Sequence, residues 1–312
     1  MAVDIGGTKI AAAFVASDGE MSRHRQAPTP ALDGSDAVLD AVATLVAELV
    51  DVEPGGSVGV GVGTAGAVDV RSGRIVSSTD TFRDWVGTDV VAGLAARLGG
   101  DARDIVVHND VDAHALGEAW LGAARDATSA LMVAVGTGLG GAIILDGRLW
   151  TGAHHLAGEM GHIPTPGADG LMCPCSREGH LEALSSGAAI ARRYRLATGA
   201  DVDTRTVVRR AEAGESAALT IVQDAAVGLG HAVAGLVTTI DPACVVVGGG
   251  MAESGAVWWD PMESTCRAEL VEPLTAIPIR PAELGPAAAL LGAAWAVFDN
   301  VGVARPDRAR AS

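Results

Sequence analysis

The feature that most constrains this sequence is a glycine-centred hairpin pattern that occurs twice. The first copy runs from an apolar strand, Val3–Ile5, through Gly6-Gly7-Thr8-Lys9 into a second strand. The second copy runs from Leu131–Val135 through Gly136-Thr137-Gly138-Leu139-Gly140-Gly141 into Ile143–Leu145. Each copy closes with an Asp-Gly dipeptide, which is typical of a tight hairpin turn. Two copies about 130 residues apart predict two related domains that face one nucleotide.

A third apolar strand, Ala243–Val247, runs into Gly248-Gly249-Gly250, and the rest of the chain alternates between strand and helix patterns. The predicted strands are 57–62 and 105–107, and the predicted helices are 37–50, 113–121, 216–240 and 287–298. This alternation predicts an α/β fold. The 312 residues suffice for two domains with cores of their own. We expect a smaller N-terminal domain of residues 1–117, completed by a C-terminal helix at about 286–312, and a larger domain of residues 118–285.

Glycine loops at strand ends favour phosphate binding, because backbone N–H groups can approach a phosphate with no Cβ in the way. The second loop also matches G-x-G-x-x-G, but a strand pattern follows it where a dinucleotide fold needs a helix, and no Walker-type P-loop is present. We therefore predict ATP as the ligand of these loops, and a magnesium ion held by Asp4 through water. The candidate ATP and magnesium residues are Asp4, Gly6, Gly7, Thr8, Lys9, Gly136, Thr137, Gly138, Gly248 and Gly249.

The formal net charge of -16 opposes binding to DNA, RNA, anionic membranes and polyphosphate. The apolar runs are short and interrupted, and the first residues lack the pattern of a signal peptide, so we predict no membrane span and a cytoplasmic location. Of the four cysteines, Cys173 and Cys175 are close together, while Cys244 and Cys266 are isolated and predicted to be core or inert residues. That spacing favours a metal site in a reducing compartment over a disulfide framework.

Asp110 follows the strand 105–107 and precedes a predicted helix. A carboxylate at such a strand end is well placed to accept a proton from a substrate hydroxyl. Asn and Asp are, however, also ordinary N-cap residues of helices. From position alone, a catalytic role and a capping role for Asp110 have equal support.

The densest group of potential metal ligands lies between residues 158 and 182. Two thiols two residues apart, flanked by two histidines, predict a tetrahedral structural zinc site formed by His162, Cys173, Cys175 and His180. The acids Glu159 and Glu182 are poor zinc ligands where thiolates compete, and we interpret them as acceptors for sugar hydroxyls. The remaining histidines lack ligand spacing and are predicted to be surface or helix-packing residues: His24, His108, His114, His154, His155 and His231.

Together these segments resemble the ROK family of bacterial sugar kinases and repressors, within the actin/hexokinase/Hsp70-like ATPase superfamily. The resemblance runs from Ala2 to about Phe298, and the segment Gly158-Glu159-Met160-Gly161-His162 with Cys173-x-Cys175 and Glu182 is its most specific part. It implies two actin-like (ribonuclease H-like) α/β domains with a cleft between them that closes on sugar and ATP.

For the site, the resemblance implies that Asp110 is the base that acts on the 6-hydroxyl of the sugar. It also implies that Gly66, Asn109, Glu159, His162 and Glu182 contact the sugar, with His162 touching both zinc and sugar. Relatives are often dimers or tetramers, so a homo-oligomer is expected.

Three positions depart from the family pattern. His180 stands where the family usually has a third cysteine, and the spacing from His162 to Cys173 is one residue longer than usual. The stretch Ser78–Trp85 keeps the family's tryptophan but lacks an asparagine that often precedes it, and Asp80 or Thr81 is the predicted replacement. Since this stretch helps to line the sugar pocket, the identity of the sugar is left open.

The sequence therefore predicts an ATP-dependent kinase that phosphorylates the 6-hydroxyl of an N-acetylhexosamine, either N-acetylglucosamine or N-acetylmannosamine, or of a related hexose. A glucokinase of the same family is the alternative. A sugar-sensing repressor is disfavoured, because no helix-turn-helix pattern precedes the first strand and the charge is strongly negative. A sugar sensor without kinase chemistry is disfavoured by the intact Asp110 and glycine loops.

Overall fold

The computed structural model describes residues 1–50, 58–79 and 81–303, and within these ranges the chain forms mixed α/β structure. The strands are β1 (Ala2–Ile5), β2 (Lys9–Val15), β3 (Met21–Pro28), β4 (Val60–Thr64), β5 (Ala67–Asp69), β6 (Arg74–Ser77), β7 (Ile105–Asn109), β8 (Ala130–Val135), β9 (Leu139–Leu145), β10 (Arg148–Leu149), β11 (Cys244–Gly248) and β12 (Ile279–Pro281). The helices are α1 (Ser35–Val50), α2 (Val90–Leu98), α3 (Asp110–Trp120), α4 (Leu181–Ser185), α5 (Gly187–Thr198), α6 (Thr204–Glu212), α7 (Ser216–Ile240), α8 (Ala256–Glu269) and α9 (Ala288–Asn300). The predicted α/β class is confirmed.

Contacts divide the chain into two compact units. Unit 1 contains Met1–Asp126, Arg148–Ala157 and the chain from Glu283 onward, and unit 2 contains Ala127–Gly147 and Gly158–Ala282. Residues 118–126 and 148–157 therefore group with unit 1, whereas the sequence assigned all of residues 118–285 to the second domain. The domain ranges themselves stay a prediction.

The main sheet of unit 1 has the strand order β3-β2-β1-β4-β7. Strands β1 and β2 form the first glycine hairpin, while β1, β4 and β7 run parallel to one another. The register aligns Ile5 with Thr64 and Thr64 with Asn109, so the carboxyl ends of the three parallel strands lie side by side. Ligand sites in open α/β sheets form at this edge. The residues that follow these strands include Gly6, Gly66 and Asp110, which the sequence predicted to be functional.

Small residues bring one helix of unit 1 close to the main sheet. Helix α9 is buried from Ala288 to Phe298 and packs against α3 and β4. A Cβ added to Gly61 of β4 would collide with the carbonyl oxygen of Ala293 on α9, so the helix backbone lies directly on the strand. Glycine at this position makes that close approach possible.

Four strands of unit 2 form a sheet in the order β9-β8-β11-β12. Strands β8 and β9 form the second glycine hairpin, which closes through Asp146 and Gly147, both with positive φ (51° and 73°). Two consecutive residues with positive φ are the signature of the tight hairpin turn that the Asp-Gly dipeptide predicted. Strand β11 runs parallel to β8, with Gly248 opposite Ala134, so the glycine segments after both strands lie at the same edge.

Helix α7 is the central helix of unit 2. Of the described residues, only Ser216–Ile240 form a helix that is long and apolar enough to cross a membrane, and most of that window is buried inside the protein. Its buried residues join a core with side chains of α5, α6 and α8, including the fully buried Trp258. The apolar character of α7 is therefore accounted for by this core.

The predicted helix 216–240 coincides with α7, and the other predicted helices overlap α1, α3 and α9. The largest difference is at α3, which begins at Asp110 rather than at 113. The helix starts earlier because Asn109 caps its first turn. Three predictions fall on residues outside those described. They are the start of β4 at Ser57, the replacement of the missing asparagine by Asp80, and the last nine residues of the predicted 286–312 helix.

Candidate functional site

The candidate residues are distributed over both units. Unit 1 carries Asp4, Gly6, Gly7, Thr8, Lys9, Gly66, Asn109 and Asp110. Unit 2 carries Gly136, Thr137, Gly138, Glu159, His162, Cys173, Cys175, His180, Glu182, Gly248 and Gly249.

The first glycine loop is a tight connection between β1 and β2. The Gly6 N–H donates to the carbonyl oxygen of Lys9 (3.0 Å), and the Thr29 hydroxyl donates to the Gly6 carbonyl oxygen (2.7 Å). Thr8 and Lys9 are exposed. Asp4 lies one residue before the end of β1, where burial raises the pKa of its carboxyl group and the nearby Lys9 opposes that rise. A bound cation would stabilise the ionised form of such a carboxyl group.

The structure separates the two roles that the sequence left open for Asp110. Asn109 is the N-cap of α3, and its Oδ1 accepts from the N–H groups of Val111 (2.8 Å) and Asp112 (3.3 Å). Asp110 is the first residue of the helix, and its Oδ1 accepts from the Val111 N–H (2.9 Å). Because Asn109 takes the capping role, the carboxylate of Asp110 is not needed as the cap.

Gly63 lies between the two acids of unit 1. It is paired with Asp4 across β1 and β4, and a Cβ added to Gly63 would lie 3.8 Å from Asp4 Oδ1 and 3.9 Å from Asp110 Cα. Asp4 and Asp110 therefore flank one glycine of the central parallel strand. A cation or phosphate placed near one of these acids would also be near the other.

The loop that carries Gly66 is fixed by two side chains. The Asn109 amide donates from Nδ2 to the Gly66 carbonyl oxygen (3.0 Å), and the buried Trp85 donates from Nε1 to the Ala65 carbonyl oxygen (3.1 Å). Gly66 has φ of 96°, and a Cβ there would lie 2.7 Å from the Ser77 carbonyl oxygen. Glycine is thus required at this position. Both polar atoms of Asn109, a predicted sugar contact, already have partners within the protein.

The two glycine segments of unit 2 meet at the ends of β8 and β11. The Gly136 N–H donates to the Gly138 carbonyl oxygen (2.9 Å). Gly249 has φ of 83°, and a side chain there would collide with the backbone of Val135 at the end of β8. Thr137 and Gly138 are exposed, so the tip of this loop is accessible to a ligand. This arrangement is suited to binding phosphate through backbone N–H groups.

The segment that carries Glu159 and His162 packs closely on the second hairpin. Side chains at Gly158 or Gly161 would collide with the carbonyl oxygens of Gly141 and Leu139, respectively. The His162 Nε2 lies 3.7 Å from Glu159 Oε2. Partial burial raises the pKa of the Glu159 carboxyl group, and His162 opposes that rise.

Four potential metal ligands converge in unit 2. One ligand atom from each of His162, Cys173, Cys175 and His180 lies within 4.8 Å of the others. The His162 Nδ1 is 3.5 Å from Cys173 Sγ, and the His180 Nδ1 is 3.2 Å from Cys175 Sγ. Two sulfur and two imidazole donors at this spacing fit a tetrahedral zinc ion. The His162 Nε2 faces Glu159, as expected when a carboxylate orients a metal-binding imidazole.

Glu182 lies in the first turn of α4, two residues after His180. Its carboxylate oxygens lie 3.2 Å and 3.3 Å from where a Cβ would lie on Gly138 and Gly161, respectively. Partial burial raises the pKa of the Glu182 carboxyl group. Nearby His162 opposes that rise, and so does Arg192, whereas nearby Glu159 raises the pKa further. Glu182 is therefore next to both the glycine loop and the Glu159–His162 segment.

Sequence reasoning missed Gly63, Trp85 as a loop support, and Arg192. Gly63 belongs to Val60-Gly61-Val62-Gly63, where glycines alternating with valines inside a strand signal close backbone approach. Two histidines predicted to be surface or helix-packing residues lie away from the surface: His108 is in β7 with a buried Nδ1, and His155, with its side chain only 13% exposed, has Nε2 3.2 Å from Asp69 Oδ1. His24 and His154 are exposed, as predicted.

A family model and individual known proteins each match most of this chain. A ROK family model matches residues 1–300. The chain is 31% identical over 274 residues to a glucokinase from Thermotoga maritima, which covers 83% of this chain and 84% of that protein. It is 34% identical over 273 residues to an N-acetylmannosamine kinase from Escherichia coli O139:H28, which covers 81% of this chain and 84% of that protein.

A similar solved structure is a ROK hexokinase from Thermus thermophilus. It matches with a TM-score of 0.85 and 33% identity, over 96% of this chain and 97% of that chain. This match confirms the predicted actin-like α/β fold.

Proposed function

This chain belongs to the ROK family, and we propose that it is an ATP-dependent kinase that phosphorylates the 6-hydroxyl of an N-acetylhexosamine, either N-acetylglucosamine or N-acetylmannosamine. Relatives that are 30% identical or more and cover over four-fifths of the chain carry the names of sugar kinases. Those names support the kinase activity in general, and the sugar is inferred from this chain's own residues together with its identity to N-acetylmannosamine kinases.

The observation that carries the proposal is the placement of Asp110. Asp110 directly follows the carboxyl end of β7, with its Cα beside Gly63, at the same sheet edge as the first glycine loop, while Asn109 caps α3. In the proposed reaction, Asp110 accepts the proton from the sugar 6-hydroxyl as that oxygen bonds to the γ-phosphorus of ATP. The bond from the γ-phosphorus to the bridging oxygen breaks, and ADP leaves.

The other candidate residues bind and orient the reactants. The glycine loops at Gly6–Lys9, Gly136–Gly138 and Gly248–Gly249 are the proposed binding sites for the nucleotide phosphates. They would bind through backbone N–H groups other than those of Gly6 and Gly136, which donate within their own loops. Glu159, His162 and Glu182 are the proposed acceptors for sugar hydroxyls. A bound magnesium ion would neutralise charge on the phosphates, and Asp4 is the residue that would hold it through water.

Two observations support an N-acetylhexosamine over glucose. Thr64 and Ala65 precede Gly66, and the Thr79 and Thr81 hydroxyls hydrogen-bond to each other (3.0 Å) where the family often has an asparagine. The chain is also 33–34% identical to N-acetylmannosamine kinases. Glucokinase is the second candidate, because glucokinases at 30% identity match up to 95% of the chain.

A coupled assay of ADP release tests both parts of the proposal. Glucose, mannose, N-acetylglucosamine and N-acetylmannosamine are compared at equal concentrations, and the product's phosphate position is identified by NMR. We expect the highest kcat/KM with one of the two N-acetylhexosamines. A preference for glucose would change the assignment to glucokinase. If no ADP is released with any of the four sugars, the kinase proposal is contradicted.

We also propose that His162, Cys173, Cys175 and His180 hold one structural zinc ion per chain. Elemental analysis of the purified protein is expected to give about one zinc per chain, and its absence would remove this assignment. The cytoplasmic location and the homo-oligomeric assembly stay predictions.

A further inference from the structure

Arg192, a residue of α5 outside the candidate site, connects two parts of unit 2 that carry proposed ligand contacts. Its Nη2 donates to the Met172 carbonyl oxygen (3.2 Å) and to the Ala183 carbonyl oxygen (3.2 Å). Met172 directly precedes the metal-cluster residue Cys173, and Ala183 directly follows Glu182. One guanidinium therefore joins α4 to the loop that carries Cys173, Cys175 and His180, which we call the metal loop.

The N-terminus of the same helix holds the second glycine loop. The first N–H groups of α5 donate to that loop, from Gly187 to the Gly136 carbonyl oxygen (2.8 Å) and from Ala188 to the Thr137 carbonyl oxygen (3.2 Å). A Cβ on Gly187 would lie 2.7 Å from the Gly136 carbonyl oxygen, so the helix start and the loop are in direct contact. Movement of α5 must therefore move the loop.

Helices α4 and α5 leave little freedom between these contacts. Only Ser186 separates them, and it caps α5 by accepting from the Ala189 N–H (3.1 Å) while its own N–H donates to the Glu182 carbonyl oxygen (3.3 Å). The Thr204 hydroxyl further donates to the Gly187 carbonyl oxygen (2.6 Å). A continuous series of hydrogen bonds thus runs from the metal loop through Arg192 to the glycine loop.

We infer that Arg192 is a positioning residue that couples the metal loop to the nucleotide-binding glycine loop, so that an intact metal loop favours nucleotide binding as well as sugar binding. This inference depends on the proposed function, because it assigns nucleotide phosphate to residues 136–138. The guanidinium suits the role, since the Nη2 group carries two N–H bonds and can donate to two carbonyl groups at once.

The test compares Arg192→Gln with Arg193→Gln in the full-length protein. Arg193 is the next residue of the same helix, but it donates to Asp224 Oδ2 (2.8 Å) and the Ile221 carbonyl oxygen (3.3 Å) on α7. Both changes remove one positive charge from α5, and only Arg192→Gln releases the metal loop. Arg192→Lys, which keeps the charge and one donor group, is the conservative variant.

Binding of a non-hydrolysable ATP analogue is measured by calorimetry, and zinc release is followed with a chromogenic chelator. We expect Arg192→Gln to raise the Kd for the analogue about tenfold, because hydrogen bonds from a charged donor are lost. It should also release zinc faster, with partial recovery of both properties in Arg192→Lys. Arg193→Gln should lower the Tm and change neither property.

Two results would overturn the inference: an unchanged Kd for the analogue in Arg192→Gln, or an equal change in Arg193→Gln. If Arg192→Gln fails to fold by circular dichroism, zinc is stripped from the wild-type protein instead. The stripped, folded protein should then bind the analogue more weakly, and unchanged binding would likewise overturn the inference. Failure of the wild-type protein to bind any ATP analogue would contradict the proposed function instead.

Discussion

The two units hold their candidate residues in different ways. In unit 1, Asp4 lies near the end of β1 and Asp110 directly follows β7, and both of these strands contribute residues to the buried core. Asn109 fixes the adjacent helix and loop by hydrogen bonds. In unit 2, Glu159 and Glu182 lie on a segment built from turns, a short 3-10 helix and the five-residue helix α4. The first set is positioned by hydrophobic packing, whereas the second is positioned by side chains suited to a metal ion. Changes in unit 1 should therefore affect catalysis independently of metal, and changes in unit 2 should affect metal content and substrate binding together.

The largest effect is expected for Asp110→Asn. Loss of a general base typically lowers kcat by about 100-fold to 10,000-fold, while zinc content and Tm should stay unchanged because the N-cap Asn109 is retained. Asp112→Asn makes the same charge change in the same helical turn and should retain kcat. Steady-state kinetics measure both variants, and kcat of Asp110→Asn within about tenfold of wild type would disprove the base assignment.

The next effect is expected for His180→Ala, the corresponding change in unit 2. Removal of one of four ligands should weaken zinc retention about 100-fold or more and raise the KM for sugar, because the same loop carries Glu182. His180→Cys should restore zinc, since cysteine is an equivalent ligand. Elemental analysis after dialysis against a chelator measures retention.

His154→Ala serves as the control for this experiment, because His154 is exposed and belongs to unit 1, whereas the cluster belongs to unit 2. Full zinc retention by His180→Ala would show that His180 is not a ligand. It would also remove the contrast between the two units.

A pH-dependent effect is expected from His108 in unit 1. Its Nδ1 is buried without a hydrogen-bond partner among the described residues, and burial lowers the pKa of this imidazole to about 4. Since the unfolded state keeps a pKa near 6.5, it binds more protons between those values, and stability falls as the pH falls from about 6.5 to 4.

His108→Leu should remove this contribution, which is at most about 3 kcal/mol. Urea unfolding at pH 7 and pH 4.5 gives the free energy of unfolding for both proteins. The loss on acidification should be smaller in the variant. An equal loss in both proteins would show that His108 does not titrate as described.

The smallest effect is expected for Gly63→Ala. The added methyl group would lie 3.2 Å from Ala113 Cβ, so it fits with small adjustment, but it occupies the space between Asp4 and Asp110. We expect kcat to fall about fivefold with little change in Tm. Gly61→Ala in the same strand should lower the Tm with little change in kcat, because its methyl group meets the α9 backbone. A loss of stability in both variants without loss of kcat would argue against a ligand between the two acids.

The sequence predicted those parts of the molecule whose signals are local. The two hairpins, α7 and the metal cluster follow from glycine, apolar and ligand spacing, and each was found near its predicted position. The roles of Asn109 and Asp110 were not separable from the sequence, because either residue could cap the helix. The structure shows Asn109 as the cap, with its amide also bonded to Gly66, 43 positions away.

The contacts that sequence reasoning missed are all non-local. Trp85 supports Ala65 from 20 residues away, and Arg192 reaches Met172 across 20 residues. Such pairs leave no periodic or motif signal in a single sequence. Which unit residues 118–126 contact is likewise a non-local property, and contacts group them with unit 1.

The position of α9 has a consequence for synthesis. Unit 1 is discontinuous, and the helix that covers β4 and α3 is formed by residues 288–300, which are translated after all of unit 2. During synthesis the chain of unit 2 is therefore complete before the first sheet receives its last covering helix. Until then, the β4 face that α9 covers stays without its partner on the ribosome, and the nascent N-terminal half depends on rapid completion, or on chaperones, to avoid aggregation.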